Sequence, residues 1–196
     1  MNVLEVGSSH QLDYIESSYW DKMVHHKLPN YYHNFFYFTD IPEICRVRLE
    51  DYDVIIFSLS AFDETRFDPN LQNEDQTEKF DRMKKCLETT IKYMSYFCCK
   101  APEGTRFILM GSICANDLHT YKTRPYYAML KSAQRSFFKN MAINNPDKEF
   151  LEIAFDHIEE RVAIETILNY INRGYFNKQY EIIQNNGINI GDPDAI

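Results

Sequence analysis

Phe107-Ile108-Leu109-Met110-Gly111-Ser112 and Tyr126-Tyr127-Ala128-Met129-Leu130-Lys131-Ser132-Ala133 are the two stretches that decide how this chain reads. The first is a short apolar run, as expected of a strand buried on both faces of a sheet, and it breaks at Gly111-Ser112. A polar loop through Asn116, Asp117, His119 and Thr120 leads to Pro125. The second stretch opens a helix that carries Phe137 and Met141. A serine therefore stands at the C-terminal end of a strand, and 15 positions later comes a Tyr-x-x-x-Lys pair. Helix positions i and i+4 share a face, so Tyr127 and Lys131 point into one cleft. An ammonium beside a phenol favours the phenolate and lowers a pKa that starts near ~10. Such a tyrosine can act as proton donor or acceptor near neutrality.

The strand, Ser112, Tyr127, Lys131 and the small Ser132-Ala133 together resemble the short-chain dehydrogenase/reductase family. The resemblance implies an α/β fold: a Rossmann-like, doubly wound, mostly parallel sheet with helices on both faces. It implies one NAD(P)-binding domain over residues 1–196. It also assigns roles. Ser112 would bind a substrate carbonyl or hydroxyl, Tyr127 would move the proton, and Lys131 would lower the tyrosine pKa and hold the nicotinamide ribose. The residues taken alone also fit a helix with a half-buried tyrosine and a solvated lysine.

Composition narrows the classes. A chain of 196 residues with 44% hydrophobic and 15% aromatic residues can bury a sizeable core and is not disordered throughout. The net charge is −8 with no long basic block, which disfavours nucleic acid. No apolar run approaches the ~20 residues that cross a bilayer. Met1-Asn2-Val3-Leu4-Glu5-Val6 lacks the features of a signal peptide, so a cytoplasmic location is expected. Five cysteines, Cys45, Cys86, Cys98, Cys99 and Cys114, show no Cys-x-x-Cys spacing and read as free buried thiols. His25, His26 and His33 have no second ligand cluster, so no metal is expected.

Residues 2–6 read as a strand, Gly7-Ser8-Ser9-His10 as a turn, and Leu12, Ile15 and Tyr19 recur at helical spacing. That succession opens a nucleotide-binding βαβ unit. By resemblance, Gly7, Ser8, Ser9 and Leu12 lie along the cofactor, with Gly7 permitting the tight turn and the helix N-terminus facing the pyrophosphate. Gln11 and Asp13 stand near where the family has further glycines, so binding could be weak, shifted or lost. His10 is either a phosphate donor or a surface residue. A second strand is expected over Asn34–Thr39, ending at Asp40. Asp40 either holds a ribose hydroxyl, favouring NAD over NADP, or forms a turn before Ile41-Pro42.

Cys45–Leu49 alternates like a brief third strand, and Asp53–Phe57 is a buried run. Ser58-Leu59-Ser60-Ala61 replaces the family's Asn-Asn-Ala-Gly, leaving Ser58, Leu59 and Ser60 beside a cofactor's path. Phe80, Met83, Leu87, Ile91, Met94 and Cys98 form one stripe of a helix over 79–99. The family's helix asparagine has no counterpart near Lys84 and Lys85. Phe150–Phe155 reads as the next strand, and Asp156-His157-Ile158-Glu159-Glu160 stands in place of Pro-Gly and starts a helix to about Asn172. Gln179–Gly187 supplies the closing strand and glycine turn.

Only 26 positions separate Phe155 from Glu181, so the family's substrate lid is reduced or absent. An open site suits a small-molecule substrate, or a bulky or carrier-bound one. The resemblance further implies a homodimer or homotetramer through helices 79–99 and 126–143. Three functions remain: a divergent NAD(P)-dependent oxidoreductase, a binding or regulatory protein on the same scaffold whose catalysis has lapsed, with or without its cofactor, or a non-redox isomerase or dehydratase using Tyr127 as base.

Overall fold

The computed structural model describes residues 1–7, 26–27, 30–35, 47–59, 76–115, 124–155, 160–173 and 180–185. Among them, six strands form one sheet: β1 (Val3–Gly7), β2 (Tyr31–Phe35), β3 (Val54–Ser58), β4 (Arg106–Ser112), β5 (Glu149–Phe155) and β6 (Tyr180–Asn185). Their order is β2-β1-β3-β4-β5-β6, and every pairing is parallel. Three helices accompany them: α1 (Gln76–Lys100), α2 (Pro125–Asn144) and α3 (Glu160–Arg173).

Side chains alternate across a strand, so each buried strand feeds two cores. Leu4, Val6, Ile55, Phe57, Phe107, Leu109 and Phe150 meet Tyr93, Met94 and Phe97 of α1 and Phe138 and Ala142 of α2. Val3, Val54, Ile56, Ile108, Leu151, Ile153 and Phe155 meet Ile164, Ile167, Leu168 and Ile171 of α3. Helices thus cover both faces of a parallel Rossmann-like sheet, as the resemblance implied. No helix among the described residues is long and apolar enough to cross a membrane.

Pro125 opens α2 where its missing N–H costs nothing. At the other end the Asn145 side chain donates to the Met141 carbonyl at 2.7 Å, satisfying one of the last turn's acceptors.

Several expected boundaries shift. The second strand begins at Tyr31, not Asn34, while residues 36–40 lie outside the described set. The third strand expected at Cys45–Leu49 is not formed at its described end. Val47 and Arg48 are not in a strand, and Leu49–Asp51 is a 3-10 turn. Only four residues separate Leu49 from β3, whereas parallel neighbours need a crossover of about a dozen. Leu49 still buries its side chain, and Arg48 pairs with Glu50 at 3.2 Å on the exposed side. The α1 stripe is also rotated. Met83, Met94 and Cys98 are buried, but Cys86, Thr90, Tyr93 and Phe97 join them while Phe80 is 43% exposed. Phe80 instead stands edge-on to Tyr126 at 6.3 Å.

Candidate functional site

The chain leaves β1 for β2 on one side and returns to β3 on the other, so the sheet has a topological switch point at β1–β3. Open α/β sheets bind ligands outside the carboxyl ends of the strands at such a point. Gly7 and Ser58 face each other there in register, and Leu59 follows. Gly7 is the last residue of β1 and has no positive φ; the turn expected after it lies outside the described residues. A Cβ at Gly7 would collide with the Ser58 hydroxyl and would stand 3.8 Å from the Glu5 carboxylate. Ser8, Ser9, Leu12, Asp40 and Ser60, with His10 and Asp13, lie outside the described residues.

β4 continues through Gly111, and Ser112 is its last residue, at the strand end where the sequence put it. Ser112 is buried, and its hydroxyl accepts the Cys114 N–H at 3.2 Å. A hydroxyl that accepts one bond keeps its own proton to donate. Tyr127 and Lys131 occupy successive turns of α2, and the Lys131 ammonium sits 5.7 Å from the Tyr127 ring centroid, within cation–π range. Lys131 is not solvated: it is 4% exposed and reaches the Met110 carbonyl at 3.5 Å. Lys131 thus turns from α2 toward the strand that ends at Ser112, with the Tyr127 ring beside its ammonium.

Beyond them α2 grips the strand ends through Ser132 and through Gln134 and Arg135, to which the sequence reading gave no role. Ser132 donates to the Ala115 carbonyl at 2.7 Å. Gln134, 1% exposed, donates through Nε2 to the Leu59 carbonyl (2.9 Å) and to Thr90 Oγ1 of α1 (3.0 Å). Leu59 offers only an acceptor, which fixes the amide's orientation and leaves Gln134 Oε1 buried without a hydrogen bond among the described residues. Arg135 binds Glu152 of β5 through Nε at 2.8 and 3.0 Å and donates to the Ser112 carbonyl at 3.3 Å. Glu152 was discoverable. A carboxylate in the middle of Phe150-Leu151-Glu152-Ile153-Ala154-Phe155 needs a buried partner, and Arg135 follows Lys131 by one helical turn.

Gly111 admits that carboxylate. A Cβ there would approach Glu152 Cγ to 2.8 Å and Cδ to 2.9 Å, and Glu152 is held by Arg135 and cannot yield freely. Gly111→Ala is therefore expected to cost about 1–3 kcal/mol as overpacking. Urea unfolding measures it, and an unchanged midpoint would mean that Glu152 is looser than its contacts imply.

The α1 face opposite Tyr127 is apolar, formed by Met83, Cys86 and Leu87, while Lys84 and Lys85 point to solvent. α1 contains no asparagine. Of the thiols, Cys86 and Cys98 are buried, but Cys99 is exposed and Cys114 half-buried; Cys45 lies outside the described residues. Burial pushes the Cys98 thiol far above its ordinary pKa. Cys99, expected to be buried, sits on the solvent side of α1's last turn. No group of three potential metal ligands occurs among the described residues.

No protein-family model matches the sequence, and no curated protein matches it. Solved structures do match. A short-chain dehydrogenase/reductase from Serratia marcescens superposes with a TM-score of 0.63 at 16% identity, over 93% of this chain and 95% of that one. A small-chain dehydrogenase gives 0.67 at 11% identity, over 96% and 98%. The fold is that of the short-chain dehydrogenases/reductases. A blue fluorescent protein from a metagenomic library, in complex with NADPH, gives 0.66 at 14% identity over 95% and 86%. The short-chain dehydrogenase/reductase fold is thus matched along nearly the whole chain, at identities where fold alone carries across.

Proposed function

We propose that this chain is a divergent NAD(P)-dependent oxidoreductase of short-chain dehydrogenase/reductase type, acting on a carbonyl or alcohol. The observation that supports the proposal is that Lys131, with the Tyr127 ring beside its ammonium, reaches from α2 to the Met110 carbonyl, two residues before Ser112 on β4. A dinucleotide would lie at the switch point, where the two facing strand ends, Gly7 and Ser58, carry small side chains and Leu59 follows. Lys131 would hold the nicotinamide ribose, as the family resemblance implies. The bound cofactor supplies or accepts the hydride. Ser112 orients the substrate oxygen, Tyr127 gives it or takes from it a proton, and Lys131 sets the electrostatic environment of the phenol. NAD is favoured over NADP on Asp40. The substrate is a small molecule or a carrier-bound group, and the protein works in the cytoplasm as a homodimer or homotetramer through α1 and α2, whose exposed side chains include Phe80, Met129 and Ile143.

Titration with NADH and NADPH tests the first physical requirement. At 100 times its dissociation constant a ligand adds about 2.7 kcal/mol, which raises Tm by about 5–10 °C for a chain of this size. Trp20, the only tryptophan, gives a fluorescence readout in parallel. No response to either cofactor at millimolar concentration would sink the proposal. A second reading, a lapsed binding or regulatory protein, is favoured by the deep burial of Lys131 and by the apolar α1 face opposite Tyr127. Cofactor binding without turnover over a panel of aldehydes and ketones would select it.

A further inference from the structure

We infer that Arg135 is a positioning residue for Ser112, oriented by Glu152, so that one helix both carries Tyr127 and Lys131 and fixes the serine they work with. The inference rests on the substrate-binding role proposed above for Ser112. Arg135 lies two turns beyond Tyr127 on α2, with Lys131 between them. Its Nε takes both carboxylate oxygens of Glu152, at 2.8 and 3.0 Å, while a second arm donates to the Ser112 carbonyl at 3.3 Å. Holding that carbonyl fixes the Ser112–Ile113 peptide plane, from which the 3-10 turn Ile113–Ala115 departs. Ser132 holds the far end of the same turn through the Ala115 carbonyl. Within the turn, the Cys114 N–H points at the Ser112 hydroxyl. The serine-bearing turn is therefore bolted at both ends to the helix of Tyr127.

Stability is a poor explanation for this ion pair. Arg135 is 11% and Glu152 1% exposed, and apolar residues of similar volume often replace such pairs without loss. The contact that an apolar pair could not reproduce is the one to the Ser112 carbonyl. A planar guanidinium can grip a carboxylate and a second acceptor in one rigid geometry, which a lysine ammonium cannot. Gly111, kept bare beneath Glu152, belongs to the same arrangement.

The double variant Arg135→Met/Glu152→Met separates positioning from packing. It is expected to unfold at a midpoint close to that of the parent, while the Cys114 amide exchanges its hydrogen about tenfold faster and the amides of β3 and β5 are unchanged. Arg135→Lys, which keeps the charge opposite Glu152 but loses the fork, is expected to speed Cys114 exchange as well, and it gives the same readout should the double variant not fold. Cys114 exchange within about twofold of the parent in these variants, or uniform acceleration through the sheet, would overturn the inference. These measurements need neither cofactor nor substrate, so failure of the parent to bind NADH or NADPH would remove the redox proposal and leave the exchange result to stand by itself. Where turnover is found, kcat should fall with the KM for cofactor unchanged.

Discussion

Tyr127→Phe is expected to lower turnover by about a thousandfold while leaving the fold and cofactor affinity intact, since a positioned acid or base contributes roughly 10²–10⁴. The substitution is discriminating because of what it keeps. Phenylalanine preserves the ring that faces the Lys131 ammonium and packs with Met83, Cys86 and Leu130. Only the hydroxyl goes. The measurement is kcat for whichever carbonyl compound the parent reduces, alongside cofactor dissociation constants and thermal melts. Full activity in the variant would take Tyr127 out of the chemistry. Loss of cofactor binding together with turnover would instead give the residue a structural part in the crevice.

Phe138→Ala is expected to be the most damaging core substitution on α2, costing about 3–5 kcal/mol. Phe138 is fully buried and packs edge-on against Phe57 at 6.2 Å and Phe150 at 5.3 Å. Those rings stack in turn with Phe107, at 5.8 and 5.1 Å, so four aromatic side chains tie α2 to β3, β4 and β5. Edge-to-face pairs contribute about 0.5–1.5 kcal/mol each beyond the area they bury. At about 2–4 °C per kcal/mol the expected fall in Tm is roughly 6–20 °C. Calorimetry decides it. A loss under about 1 kcal/mol would mean that α2 is held mainly by the polar grips of Gln134 and Arg135.

Much of the scaffold could be read from the chain because the features concerned are local. Val54-Ile55-Ile56-Phe57 and Phe107-Ile108-Leu109-Met110 are apolar on both faces, which only a doubly covered strand tolerates. Tyr127 and Lys131 are one turn apart, and helix geometry alone puts them on one face. Cys45–Leu49 misled for the opposite reason. Its alternation satisfies a strand's period, but too few residues follow to cross over to a parallel neighbour. The stripe through Phe80 failed at its first member because Phe80 meets Tyr126 of α2 at the exposed rim, while Met83, Cys86 and Thr90 take the covered positions.

The sequence by itself determined the buried strands, the helix that bears the tyrosine and lysine, and the serine at a strand end, since periodicity and spacing act within one element; the parallel sheet was what the family resemblance implied. The tertiary structure alone decided that Lys131 turns inward to Met110, that Ser58 fills the space above Gly7, and that Arg135 and Glu152 meet over Gly111 to hold Ser112. Those contacts join residues on different strands and helices. Their partners are chosen by strand register and helix rotation, which are fixed only when the two cores pack.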